Sequence, residues 1–301
     1  MEMQWITTFL TIVDRKGFGR AAQQLGYSQP TVSNHVAALE RELGASVLHR
    51  NCRPVELTQA GAVFLPHARA LAREIEAARG SVSDVLGIRR GTVTLGAYPS
   101  AMAAYVPGLL SGFRAWYPDI TVRLIELQVS DLSKAALSGH IDLVILPQPQ
   151  AQESFSGLPL WQERYKVVFR SDHPLAEHNG PIPLQTLTDF DLIMPGCGEL
   201  ASPNHPLWHE LGTRPPFAFE VIQPQSLLEL VRHGLGVGVT NELSLGVAAA
   251  SGLETRHIDA DSAVRDVWVW WTSGQTPSPA GQELLACMRD GARPVGTRRL
   301  R

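Results

Sequence analysis

Phe18–Arg53 reads FGRAAQQLGYSQPTVSNHVAALERELGASVLHRNCR. Ala21, Ala22 and Leu25 share one face of a short helix. Gly26 follows, where a helix stops most readily on a residue that tolerates positive φ. Tyr27 occupies a tight turn. Ser28 is placed to cap the next helix, and Pro30 suits a first helical turn, where a missing N–H forfeits no bond. Val32, Val36, Leu39 and Leu43 then recur at helical spacing as one apolar stripe. Two helices joined by such a turn predict a helix-turn-helix, whose second helix enters the DNA major groove. Off the stripe stand Gln29, Thr31, Ser33 and Asn34, short polar side chains suited to base edges and phosphates. A plain helical hairpin that only packs is the simpler reading of this stretch alone.

The flanks extend the pattern. RAAQQLGYSQPTVSNHVAALERELGASVLHR, followed by LTQAG at Leu57–Gly61, resembles the LysR-type family of transcriptional regulators, and the length and order of elements resemble it along the whole chain. The resemblance implies an N-terminal all-α winged helix-turn-helix, a long linker helix, and a C-terminal α/β domain of two lobes, like a periplasmic binding protein. It implies double-stranded DNA, a small-molecule effector, RNA polymerase and a second copy of the chain as partners, as a homodimer or homotetramer. On this reading Ser28, Gln29, Pro30, Thr31, Ser33 and Asn34 face DNA. Arg50 and Arg53, at the tip of a hairpin formed by Ser46–His49 and Val55–Thr58, meet phosphate or the minor groove.

Composition agrees with such a division. The 301 residues are 44% hydrophobic, enough for packed cores, and carry a net charge of −3. Residues 1–90 hold 11 Lys and Arg against 8 Asp and Glu, whereas the remainder holds 15 against 21. A basic head on an acidic body has the sign expected of a DNA-binding head. The start, MEMQWITTFL, places an acid where a signal peptide needs basic residues, and no apolar run reaches membrane-spanning length, so a cytoplasmic protein without a membrane partner is expected. Cys52, Cys197 and Cys287 form no metal or disulfide spacing, and no cofactor is expected.

Residues 2–14 predict a first helix with Trp5, Phe9, Ile12 and Val13 buried. From a Thr58 cap to about Leu86, the series Phe64, Ala68, Leu71, Ile75, Ala78, Val82 and Val85 forms a heptad seam on a rod of about 40 Å, which predicts a partner helix. The expected boundaries are 1–58 for the winged helix-turn-helix, 59–90 for the linker and hinge, and 91–301 for the effector domain. Within the last, lobe I takes about 91–163 and 270–301, and lobe II about 164–269.

Beyond residue 90 strands alternate with helices: strands Thr92–Ala97, Ile120–Leu127 and Ile141–Leu146, with helices Ala101–Trp116 and Asp131–Leu137. A second such unit follows Tyr165–Phe169, with strands Leu192–Met194, Ala218–Ile222 and Val237–Thr240. Its helices lie near Leu207–Leu211 and Ser226–His233. Val267–Trp271 is a late strand and Ala280–Met288 a closing helix. Arg164–Phe169 and Val264–Thr272 are the expected crossings between lobes. Residues 289–301, with five arginines, read as a solvated tail.

Ligands in such folds sit between lobes, beyond the carboxyl ends of parallel strands. That rule selects Ser100, read as a helix cap, with Ala101 and Met102; Gln128 and Ser130; Pro147; Gly196 and Cys197; and Gln225 and Thr240. Each has a plainer reading, as a cap or as core. These loops contain no Lys or Arg. A strongly anionic effector would need a cation from elsewhere, such as Arg164, so a neutral or weakly acidic, partly aromatic molecule fits better.

Two further classes compete with a regulator. A solute-binding protein would lack the N-terminal head. An enzyme would need a nucleophile elbow, a phosphate loop or a metal motif, and none is present; His205 and His209 alone have no third ligand. A redox-responsive regulator would use Cys197, but no second cysteine follows it before Cys287.

Overall fold

A computed structural model describes residues 1–49, 52, 54–85, 90–147, 152–195, 200, 202–247 and 252–300. Arg50, Arg53, Gly196 and Cys197 lie outside the described residues. The chain divides into two compact units, residues 1–91 with 137–140, and residues 92–136 with 141–301.

The first unit is helical, with one small hairpin. Helices α1 (Met3–Arg15), α2 (Phe18–Leu25) and α3 (Gln29–Leu43) pack around Phe9, Ile12, Ala21, Val32, Val36 and Leu39, all fully buried. Gly26 ends α2 at φ 68°, the left-handed conformation that the turn requires. The Ser28 hydroxyl accepts the Thr31 N–H at 3.2 Å and so caps α3. Strands β1 (Leu48–His49) and β2 (Glu56–Leu57) pair antiparallel, Leu48 opposite Leu57, and form the expected wing.

Helix α4 runs over Gln59–Val85, with Thr58 accepting the Gly61 N–H at 3.0 Å. Its first turn lies against the wing. A Cβ at Gly61 would stand 1.9 Å from the Val47 carbonyl oxygen, so only glycine allows this approach. The start of the predicted seam packs inside the head. Phe64 packs on the head's own core, its ring 5.4 Å from Phe9, and Ala68 is fully buried there. Farther along, Leu71, Ala78 and Val82 of the seam are exposed, as is Val63 beside its start. The heptad that starts at Phe64 is therefore spent partly inside the head.

Among the described residues the second unit holds a ten-stranded mixed sheet. Strands β3 (Gly91–Ala97), β4 (Ile120–Glu126) and β5 (Leu143–Pro147) belong to lobe I, with β3 parallel to β5. Helices α5 (Pro99–Ala104), α6 (Val106–Trp116) and α7 (Val129–Leu137) connect them. The single helix expected over 101–116 breaks at Tyr105. Pro107 has no N–H for the Ala103 carbonyl, so a new helix begins with proline in its first turn.

Strand β6 spans Phe155–Arg170 and is longer than the predicted Tyr165–Phe169. Its first part contains Gly157 and Pro159, residue types that strands disfavour. Past β7 (Ile182–Pro183), lobe II adds β8 (Leu192–Pro195), α8 (Pro206–Leu211), β9 (Phe217–Val221), α9 (Pro224–Arg232), β10 (Val237–Asn241) and α10 (Glu242–Val247). Then follow β11 (Leu253–Asp259), which periodicity did not reveal, β12 (Val264–Thr272) and α11 (Pro279–Asp290).

β12 runs antiparallel to β6 from Val264 opposite Arg164 to Thr272 opposite Phe155. The register slips between Val267 and Trp268, leaving Leu160 as the extra residue beside Pro159, which has no ladder N–H to offer. β10 pairs with β6 antiparallel and with β8 parallel.

Lobe I closes on Leu95, Ile145, Trp161, Val267, Val269 and Leu284; lobe II closes on Tyr165, Phe169, Leu192, Trp208 and Val239. Val267 and Val269 thus lie in the core of lobe I, although the expected boundary gave them to lobe II. The arginine-rich tail is not simply solvated. Pro294 is buried, and Arg298 exchanges two backbone hydrogen bonds of 2.8 Å with Gln162 on β6. Among the described residues no helix is long and apolar enough to cross a membrane.

Candidate effector cleft and DNA-facing helix

A cleft of about 650 Å³, its open mouth included, lies between the lobes. Lobe I contributes Tyr98, Pro99 and Ser100 at the start of α5, and Gln128 and Val129 at the start of α7. Lobe II contributes Pro195 after β8, Gln223 and Pro224 at the start of α9, Thr240 and Asn241 at the end of β10, and Ser244 on α10. Leu200, Val221, Ile222 and Leu227 make its apolar wall; Tyr165 and Arg265 come from the crossing strands.

Of the predicted positions, Ser100, Gln128 and Thr240 line this cleft. Ser100 is not the cap of its helix, which is Tyr98; it sits one residue inside α5, buried, with its hydroxyl at the cleft. Ala101 and Met102 turn the other way, toward the core of lobe I. Ser130 and Gln225 are exposed, and Pro147 is buried opposite Val267; none of the three lines the cleft. Gln223 takes the place expected for Gln225, because α9 starts at Pro224 and the residues before it face the cleft.

The hydroxyls of Ser100, Thr240 and Ser244 have no hydrogen-bond partner within the protein, although each residue is more than nine-tenths buried. Asn241 uses its side-chain oxygen to accept the Ser244 N–H at 2.9 Å, which leaves its amide nitrogen unengaged. Four neutral polar groups without a partner within the protein thus open onto one cleft.

The crossing strands supply an ion pair that residue patterns did not bring to notice. Glu163 and Arg265 stand directly opposite each other in the β6–β12 register. Glu163 Oε1 accepts from Arg265 Nε at 2.7 Å and lies 2.6 Å from Nη2. The Tyr98 hydroxyl donates to the same oxygen at 3.1 Å, and the Leu243 N–H reaches Oε2 at 3.3 Å. The guanidinium lies 5.0 Å from the Tyr98 ring centre and 5.9 Å from that of Tyr165. Glu163 is fully buried, and this one carboxylate ties β6 to β12, to the start of α5 and to α10.

The sequence did hold a signal. Trp161, Glu163, Tyr165 and Val167 alternate on one buried face of β6, and an acid interrupts an otherwise apolar series. Arg164, the cation suggested by the sequence, falls on the opposite face and does not line the cleft.

His205 packs edge-on against Tyr165 at 5.3 Å, and its Nδ1 accepts the Leu207 N–H at 3.2 Å to cap α8. Burial, and then the positive charge of Arg265, push its pKa down to about 4. It is a neutral cap behind the cleft wall. His209 on the same helix is exposed, and no cluster of His, Cys, Asp and Glu among the described residues could hold a metal ion.

In the head, Gln29, Pro30 and Asn34 are exposed along the start of α3, with Thr31 and Ser33 half-buried beside them. The Ser28 and Thr31 hydroxyls lie 2.8 Å apart and serve the helix cap. Val32, Val36 and Leu39 hold the opposite face in the core.

A winged helix-turn-helix followed by a two-lobed ligand-binding domain defines a DNA-binding regulator with an effector domain. Comparison with known proteins agrees. Residues 3–62 match the bacterial regulatory helix-turn-helix protein of the lysR family, and residues 86–293 match the LysR substrate binding domain. The chain belongs to the LysR family of transcriptional regulators.

It is 30% identical over 270 residues to the uncharacterized HTH-type transcriptional regulator YvbU of Bacillus subtilis, covering 89% of this chain and 90% of that one. It is 28% identical over 285 residues to the probable cat1 operon transcriptional activator of Acinetobacter lwoffii, covering 89% of each. The structure of a full-length OxyR variant from Pseudomonas aeruginosa has the same fold, with a TM-score of 0.76 at 22% identity, over 97% of this chain and 99% of that one.

Proposed function

We propose that this regulator reads its operator with Gln29, Pro30, Ser33 and Asn34 of α3, helped by Arg50 and Arg53 of the wing, and takes its effector in the inter-lobe cleft. The observation that carries the effector site is the set of hydroxyls, without a hydrogen bond within the protein, that both lobes present to one space: Ser100 from lobe I, Thr240 and Ser244 from lobe II. A molecule that bridges them favours the lobe arrangement it fits best, and shifts the equilibrium only by that difference in affinity. Strand β3, which leads into Ser100, follows α4 in the chain, so a movement of lobe I has a covalent path toward the head.

Dimer formation through the exposed stripe of α4 would set two α3 helices on successive half-sites. The tetramer, the contact with RNA polymerase and the cytoplasmic location belong to this reading through the family. Cys197 has no second cysteine before Cys287, so no thiol pair forms part of it.

The test is a footprint on the mapped operator, with and without a panel of metabolites. Ser100→Trp fills the cleft mouth; it should retain the footprint and lose its shift with the metabolite that moves the wild type. A Ser100→Trp protein that responds like the wild type would place the effector elsewhere. For the DNA face, Gln29→Ala and Asn34→Ala should each reduce base discrimination by about 1–3 kcal/mol if they make good base contacts. Loss of affinity that is uniform across sequences would reassign them to phosphate contact.

A further inference from the structure

We propose that the cleft selects an uncharged effector, and that Glu163 enforces this by cancelling the charge of Arg265. This rests on the reading of the cleft as the effector site.

Three observations carry it. Arg265 is the sole charged side chain among the described residues that line the cleft. Of the residues of the effector domain that are not described, 148–151, 196–199, 201 and 248–251 contain no Lys or Arg and one acid, Glu199; the remaining one is Arg301 at the end of the chain. Second, Arg265 is already matched by the fully buried Glu163, directly opposite in register at 2.6–2.7 Å. An anion entering the cleft would approach a pair with no net charge. Third, neutral groups without a hydrogen bond within the protein line the cleft from both lobes: the hydroxyls of Ser100, Thr240 and Ser244, which both donate and accept, and the amide nitrogen of Asn241.

Helices α7 and α9 pull the other way, since both begin at the cleft and helix N-termini favour negative charge. Their effect is smaller than the cost of stripping water from a carboxylate that finds no unmatched cation. The neutral array therefore decides. The ligand it fits is a small molecule with several hydroxyl, carbonyl or amide groups on one side and an apolar edge toward Leu200, Val221, Ile222 and Leu227. Glu163 acts here as a positioning residue: it holds Arg265 and the Tyr98 hydroxyl and sets the charge the cleft accepts.

The probes are cyclohexanecarboxamide and cyclohexanecarboxylate, near-identical in shape and different in charge, titrated into the full-length protein at neutral pH by ligand-observed NMR. The wild type should bind the carboxamide at least tenfold more tightly. Glu163→Gln removes the carboxylate that matches Arg265 and should reverse the preference by at least tenfold. Arg265→Gln leaves Glu163 as a lone anion and should reject the carboxylate more strongly than the wild type does. This arm keeps the test open if Glu163→Gln fails to fold.

A wild type that prefers the carboxylate, or that binds no carboxamide, overturns the proposal. So does a preference that neither variant moves. Ser100→Trp separates the two readings. If it abolishes binding of both probes, they were reporting on the cleft. If binding persists, the assignment of the cleft itself is wrong.

Discussion

Thr240→Val should stabilise this protein, although it removes a polar group from a buried position in a central strand. Thr240 lies on β10 opposite Lys166, 2% exposed, and its hydroxyl has no partner within the protein. A buried hydroxyl without a partner costs about 1–3 kcal/mol in protein mutational data. Water reaching the cleft mouth repays part of that. Valine keeps the branched shape, suits a strand, and exchanges the hydroxyl for a methyl group worth roughly 0.8 kcal/mol when buried. The balance is a gain of about 0.5–1 kcal/mol. At roughly 2–4 °C per kcal/mol for a domain of this size, calorimetry should show the effector domain melting about 1–4 °C higher.

The control is the same substitution at Thr8, which is also fully buried. There the hydroxyl donates to the Gln4 carbonyl at 2.6 Å and lies 2.9 Å from His35 Nδ1. Thr8→Val strands His35 and should cost about 1–3 kcal/mol. Thr240→Val should also weaken effector binding by about two- to tenfold, the share of one ordinary hydrogen bond of roughly 0.5–1.5 kcal/mol. If Thr240→Val lowers stability by more than about 1 kcal/mol, its hydroxyl is satisfied in the free protein and the argument from unpartnered groups fails.

Three other perturbations have definite expected outcomes. Gly61→Val drives a side chain into the Val47 carbonyl, whose oxygen would lie 1.9 Å from the new Cβ; thermal unfolding should show the head destabilised by at least about 2 kcal/mol, with loss of operator binding in gel shifts. His205 has its folded pKa lowered to about 4 from the ordinary 6.5, so its contribution is fully present above pH 6.5 and is lost as the pH falls toward 4. That loss is on the order of 3 kcal/mol, and His205→Asn, which keeps a cap and removes the titration, should flatten the pH dependence of unfolding across that window. Leu71 and Val82 are exposed on α4; replacing both with Glu should dissociate the dimer in sedimentation if this stripe is the contact, and a double mutant as associated as the wild type would exclude it.

The local periodicities of the chain determined a good deal. The stripe Val32–Val36–Leu39, the Gly26 stop and the Ser28 cap follow from interactions within a few residues, so the helix-turn-helix was legible in the sequence. The alternation of strands and helices gave β8, β9 and β10 to within a residue of their ends. Tertiary structure decided what lies opposite what. No local pattern tells that Phe64 and Ala68 turn into the head while Leu71 stays exposed, because that depends on where α4 meets the wing.

Nor does spacing relate Glu163 to Arg265. They become neighbours only through an antiparallel register that joins residues 102 positions apart in the sequence. The cleft itself belongs to this second kind. Its rule of strand ends found Ser100, Gln128 and Thr240, but whether a side chain at a strand end faces the cleft or the core depends on a rotation of one residue along the helix that follows. That rotation is fixed by packing between elements and sent Met102 inward and Gln225 outward.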